Sequence, residues 1–390
     1  MSNIESLVSA HLKARRNALN LNVSENRLSD TVLAVLSTDL QQRYHAGFYA
    51  GTDPAQELIA AVTSLAKDRF KARFASVAPL SGNMCVLATV YALTHPLDEV
   101  ARLPLIPGGG YPFNYKGVHR YPLDLPFDTH QWQVDVDKTL ELLAKHQPPL
   151  VMLGASMITY PVPVTEVAEE VHDYGGLVAY DGSHVFGLIA GGEFQDPLRE
   201  GADVLFGSTH KSFPGPQGGL VLTNNEELDK RLEKVIGLDP LEGIVLVDNP
   251  HLHRIASLGL ALEETPWERY ARQVVLNSQA IAKALTQEEV PLRGQTNASF
   301  PHCTYTHQVL PEVTLEEGTS HRDYLAQHQI LTDGFARVGT SEVTRLGFTT
   351  EEASELGSVL AALLKREENK LPEIREKVEG WVATKTKVVL

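Results

Sequence analysis

Between residues 55 and 270 two kinds of apolar pattern alternate along the chain. Uninterrupted apolar runs, LVMLGA at 150–155, GLVAYD at 176–181, DVLFG at 203–207 and GLVLT at 219–223, read as buried strands, because a strand covered on both faces loses its polar alternation. Between them lie stretches whose apolar positions recur three and four residues apart, the spacing of a one-sided helix. The alternation predicts an α/β fold with a mostly parallel central sheet in a large domain, 41–270. Residues 1–40 carry two helical patterns, SLVSAHLKARRNAL and the start of SDTVLAVLSTDLQQRY, whose apolar stripes need a surface to lie on; they are read as an N-terminal helical arm. After the helical stretches LHRIASLGLALEE and RYARQVVLNSQAIAKALTQ, a smaller C-terminal α+β domain is expected over 271–390. It ends in two charged helices, EEASELGSVLAALLKREE and LPEIREKVEGWVA.

Composition narrows the class. A chain of 390 residues is long enough for two or three domains of about 150 residues. The formal charge of −15 is spread rather than blocked, which gives no footprint for nucleic acid. Only Cys85 and Cys303 occur, so a disulfide scaffold is excluded and a reducing, cytoplasmic setting is expected. No secretory leader opens the chain. The longest uncharged run, 76–97, is interrupted by Pro79, Gly82, Asn83 and His95, which argues against a membrane span.

The segment GSTHKSFPGPQGG at 207–219 holds the chemistry. Lys211 stands among small hydroxyl residues, a histidine and a glycine-proline turn, where burial and neighbours can turn an amine into a nucleophile toward carbonyls. Asp181 closes the strand GLVAYD thirty residues earlier, at the sheet edge where open α/β folds bind ligands. A lysine for a Schiff base and an aspartate for a pyridine nitrogen are the two protein groups that pyridoxal phosphate (PLP) requires. Ser81-Gly82-Asn83 precede the apolar helix MCVLATVYAL, where free backbone amides meet a phosphate or, on the alternative reading, Ser81 simply caps the helix. Arg337 stands ready either to grip a substrate carboxylate or to make a structural salt bridge. The chain has no GxxxxGK[ST] loop, which removes the main support for nucleotide hydrolysis. His251, His253, His302, Cys303 and His307 match no standard zinc spacing.

Along nearly its whole length the chain resembles serine hydroxymethyltransferase, a fold-type I (aspartate aminotransferase-like) PLP enzyme. The resemblance rests on VSEN at 23–26, SGN at 81–83, GAS at 154–156, DGSH at 181–184, STHKSFPGPQGG at 208–219 and ARVGT at 336–340. It implies that Lys211 forms the Schiff base with PLP and that Asp181 holds the pyridine nitrogen. It implies that Ser81, Gly82 and Asn83 bind the phosphate, with Thr209 and His210 beside it, and that Ser156 and His184 lie on the phenolic-oxygen side. The substrate carboxylate falls to Arg337, with Ser24, Tyr44 and His45 nearby, and Tyr44 and His210 join the catalytic set. Tyr49 is the residue expected to reach a partner subunit's phosphate, so a homodimer with shared active sites is implied.

The chain departs from the family in ways that bear on folate. Ala46 stands where the family carries a glutamate that handles protons in folate-dependent transfer, and ILTDG at 330–334 runs almost directly into ARVGT. Tyr111, in GGGYP, takes the stacking position that the family gives to histidine, and the family's glycine-rich loop is reduced to VDNPHLH. The expectation is an enzyme that keeps PLP and has lost folate: a threonine aldolase-like or transaldolase-like lyase or transferase acting on a small amino acid. The alternatives are a folate-dependent hydroxymethyltransferase, a racemase, an aminotransferase, a β-eliminating lyase, or a non-catalytic PLP-binding protein.

Overall fold

The computed structural model describes residues 2–45, 49–106, 108–237 and 243–390, and the chain forms two compact units: residues 28–271, and residues 1–27 together with 272–390.

The larger unit is built on seven strands: β1 Phe74–Ser76, β2 Glu99–Arg102, β3 Tyr121–Asp124, β4 Leu150–Leu153, β5 Leu177–Asp181, β6 Val204–Ser208 and β7 Gly219–Thr223. Their order across the sheet is β1-β7-β6-β5-β4-β2-β3. Neighbours from β6 through β3 run parallel, and β7 runs antiparallel to both β6 and β1. Every residue of β4, β6 and β7 is buried, which is the physical origin of their unbroken apolar runs. The mostly parallel sheet expected from the sequence is therefore present, and it brings the carboxyl ends of β4, β5 and β6 to one edge. Strand β7 starts at that same edge, with Gly219 opposite Ser208.

Packing fixes what hangs from this edge. Helix Gly82–Leu93 buries Val86 and Val90 in a cluster with Val100, Leu150, Phe206 and Val221. Phe213, two residues beyond Lys211, is fully buried and stacks in a ring cluster, 4.7 Å from Trp267 and 5.8 Å from Phe186 between centroids. Burying such rings contributes on the order of 2–3 kcal/mol each and anchors the loop that carries the lysine.

In the smaller unit Leu19–Asn20 pairs parallel with Ile330–Leu331, and Gln308–Val309 pairs antiparallel with Val338–Gly339. Leu19, Leu21, Ile281, Leu285, Leu356, Leu360 and Trp381 share its core. Helix Asn3–Arg16 buries none of its residues. The helical pattern expected over 29–44 is realised as helix Asp30–Leu36 and a 3-10 turn at Asp39–Gln42. The break has a local cause: the hydroxyls of Ser37 and Thr38 donate back to the carbonyls of Ala34 and Val35, which competes with helix continuation. Among the described residues no helix is long and apolar enough to cross a membrane.

Candidate functional site

Ser81 is the N-cap of helix Gly82–Leu93, its Oγ accepting from the Met84 amide at 3.1 Å. The capping alternative is thus realised, and it is compatible with phosphate binding, because one capped amide leaves others of the first turn without intrahelical partners. Gly82 sits where three segments converge: a Cβ there would lie 2.2 Å from Ser208 Oγ and 3.0 Å from Ser183 Oγ. Only glycine fits that cradle. Asn83 projects from the same turn and its Oδ1 accepts from the Tyr111 hydroxyl at 3.1 Å.

Asp181 ends β5, and its Oδ1 accepts from the Ser183 amide at 2.9 Å. The residue keeps some exposure toward the sheet edge, yet burial dominates its surroundings and pushes the carboxyl above the usual range. The Ser183 hydrogen bonds and the Lys211 charge pull it back in part. A buried carboxyl in this state is short of a cation.

The lysine loop is tied to itself. Thr209 donates from its amide to the Gly218 carbonyl at 3.2 Å and from Oγ1 to the Pro216 carbonyl at 2.6 Å, and its own carbonyl accepts from Gly215 at 2.9 Å. Ser212 follows Lys211 and accepts at its carbonyl from the Tyr270 hydroxyl at 2.7 Å, and at Oγ from the Gly187 amide at 3.1 Å. These bonds hold the half-buried Lys211 at the edge where Asp181 lies, and its charge acts on both Asp181 and His210. Burial, and then the Lys211 charge, bring His210 down to about 4, and its buried Nδ1 has no hydrogen-bond partner among the described residues. His184 is buried, and Ser156 is held by its amide on the Gly109 carbonyl at 2.8 Å.

These groups fit PLP by their chemistry. A helix start offers amides to a phosphate, a buried carboxyl is short of a cation, an amine stands at the same edge, and a buried imidazole nitrogen has an unmet bond. Sequence reasoning singled out Ser81, Gly82, Asn83, Tyr111, Ser156, Asp181, His184, Thr209, His210 and Lys211; it quoted Ser183, Ser208 and Ser212 without a role and gave none to Tyr270 or Arg254. Arg254 is buried to 4% exposure, its Nη2 donating to Val77, Ala78 and Pro250 carbonyls. Nothing local in the sequence announces it.

The substrate-side residues divide between the two units. In the larger unit Tyr44 and Tyr49 are exposed, with ring centroids 5.9 Å apart, and His45 is lowered by burial and has no hydrogen-bond partner at Nδ1 among the described residues. In the smaller unit the Ser24 amide donates to Asn22 Oδ1 at 3.0 Å, and Arg337 Nε donates to Asp333 Oδ2 at 2.6 Å, the salt-bridge alternative for that arginine. Ala46 lies outside the described residues. The rings of His251 and His253 stack at 6.0 Å, and among the described residues no group of three or more histidines, cysteines and acids is arranged to hold a metal ion.

A family profile described as serine hydroxymethyltransferase matches residues 2–302. The chain is 37% identical to the serine hydroxymethyltransferase of Methanopyrus kandleri over 95% of its own length and 90% of that protein. To the serine hydroxymethyltransferase of Korarchaeum cryptofilum it is 36% identical over 94% and 92%. In fold it is similar to the crystal structure of L-threonine transaldolase from Pseudomonas fluorescens in its internal aldimine state. That match has a TM-score of 0.86 at 22% identity and covers 98% of this chain and 90% of the other.

Proposed function

The chain belongs to the serine hydroxymethyltransferase family of PLP-dependent enzymes, and we propose that it cleaves or transfers the Cα–Cβ bond of a small β-hydroxy-α-amino acid without folate. The observation that carries the PLP chemistry is the placement of Asp181, at the end of β5, and Lys211, just beyond the neighbouring β6, on one sheet edge with their charges in mutual reach. Bound there, the cofactor supplies an electron sink for the bond that breaks at Cα.

The chain's own groups do the rest. Asp181 holds a proton on the ring nitrogen, which also relieves the cost of its burial. Ser81, Gly82 and Asn83 seat the phosphate at the helix start, with Thr209 and His210 next to it. Tyr111, fixed by its bond to Asn83, covers the ring, and His184 and Ser156 face its oxygen side. Arg337 exchanges Asp333 for the substrate carboxylate, and Ser24 assists it. His45, His210 or Tyr44 takes the proton of the β-hydroxyl. Burial lowers both imidazoles, which favours the neutral form that can accept it.

Folate independence is supported by Ala46, whose methyl group cannot carry the proton that a glutamate would, and by the short ILTDG connection. The fold neighbour named as a threonine transaldolase agrees with this reading. The names of the relatives favour a second reading, folate-dependent hydroxymethyl transfer. Exposed Tyr49 and the exposed apolar positions Ile4, Leu7, Val8 and Leu12 support a homodimer with shared sites, and two free cysteines suit a cytoplasmic setting. Threonine, allo-threonine and serine, each with and without tetrahydrofolate and an acceptor aldehyde, separate the readings. The expected result, without folate, is either glycine with the substrate's aldehyde or, when an acceptor aldehyde is present, a new β-hydroxy amino acid with release of the substrate's aldehyde. Glycine from serine only when folate is present establishes the second reading, and neither glycine nor a released aldehyde under any condition sinks both.

A further inference from the structure

Arg254 is a buried cation that no acid meets among the described residues. The residue is 4% exposed; Nη2 is held by the carbonyls of Val77 at 2.6 Å, Pro250 at 3.1 Å and Ala78 at 3.2 Å, while Nε and Nη1 have no hydrogen-bond partner among the described residues. Leaving guanidinium N–H groups unmet in a buried place is costly, and such groups are retained where they serve something else. Burial lowers the group only to about 10, so it is charged at neutral pH.

Its surroundings point to the phosphate seat. Val77 and Ala78 lie at the end of β1 and lead through Pro79 and Leu80 into Ser81. On the other side stands Gly218, at the end of the lysine loop: a Cβ there would lie 2.7 Å from Arg254 Nη1. Gly219 then donates to the Pro79 carbonyl at 2.9 Å. Cys85, one turn into the helix, senses the charge of Arg254, and its Sγ reaches back to the Ser81 carbonyl at 3.4 Å. Arg254 therefore lies behind the junction of phosphate seat and lysine loop.

Resting on the PLP reading above, we propose that Arg254 is a positioning residue that sets the affinity for the cofactor's phosphate without touching it. It fixes the chain path into Ser81 through the Val77 and Ala78 carbonyls and holds a permanent positive charge behind the seat. In a low-dielectric interior a unit charge is felt across several ångströms by a dianion. The same charge has little effect on an uncharged ring.

The test compares PLP with pyridoxal, which lacks the phosphate. Apoprotein of the wild type and of Arg254→Lys, Arg254→Met and Arg254→Gln is titrated with each compound, and the ratio of the two dissociation constants is read within each variant. Folding is checked by circular dichroism. The expected result is a roughly tenfold loss of PLP preference in Arg254→Met, little change in pyridoxal affinity, and recovery of most of the preference in Arg254→Lys. If Met does not fold, Gln carries the same expectation. Equal weakening toward both compounds, an unchanged ratio, or a Lys variant as impaired as Met overturns the proposal. Absence of PLP binding in the wild type would instead fail the cofactor reading on which it rests.

Discussion

Gly154 lies flat against the backbone of Asp181: a Cβ on Gly154 would stand 2.2 Å from the Asp181 carbonyl oxygen, and its φ of +96° is one that side-chain-bearing residues rarely adopt. The end of β4 is thereby pressed onto the end of β5, and the carboxylate sits where the two strands meet. Replacing Gly154 by alanine is expected to destabilise the protein by about 1–3 kcal/mol through strain and displacement of backbone. Thermal unfolding reads the first effect, and PLP titration, expected to weaken, reads the second. An alanine variant with unchanged melting temperature and affinity would contradict the close approach.

His210 gives the cofactor-free protein a pH signature. Its folded value of about 4 lies below the ordinary 6.5, so the unfolded chain binds the proton more readily. The sign follows from linkage: stability is fully present above about pH 6.5 and is lost progressively as pH falls toward 4, by roughly 3 kcal/mol in all. Urea unfolding of apoprotein at a series of pH values measures the slope. Stability changes linked to carboxylates and to other histidines persist in a His210→Asn variant, so the difference between the two curves isolates the imidazole.

Asp181 is expected to separate stability from activity. Burial raises its carboxyl, so the charge is held at a cost when no cation faces it. Asp181→Asn, nearly identical in shape, should leave the apoprotein at least as stable as the wild type at neutral pH and lower turnover by about a hundredfold or more. A variant with normal turnover would remove Asp181 from the proposed mechanism.

Tyr111 presents a milder case. Its hydroxyl bond to Asn83 at 3.1 Å orients both the ring and the start of the helix. Phenylalanine keeps the ring and loses the bond, which is worth about 0.5–1.5 kcal/mol at a partly exposed position. PLP affinity of Tyr111→Phe should therefore fall by roughly three- to tenfold, with retained turnover at saturating cofactor.

Much of the fold and of the proposed site was legible in the linear order of residues. GLVLT became β7 over Gly219–Thr223 as expected, because a strand buried on both faces has to be apolar at every position. Ser81 before an apolar helix, Asp181 at the end of a strand and Lys211 in a glycine-proline loop announced their places in the fold through neighbours a few residues away, since caps, strand ends and turns are local structures. The split of the 29–44 pattern at Ser37 and Thr38 was open to the same local reasoning, through hydroxyls that compete for helix carbonyls.

What only the tertiary structure decided is contact and burial. Gly82 needs to be glycine because Ser208, at the end of β6, and Ser183, in the turn after β5, come to it from distant parts of the chain, and the burial that does most to lower His210 comes from tertiary packing. Arg254 is the extreme case: it holds the carbonyl of Val77, 177 residues away in sequence, and looks in the linear chain like any arginine on a helix. Local chemistry is written in adjacent residues, but a buried charge or a cradle without room for a methyl group exists only once distant segments have packed together.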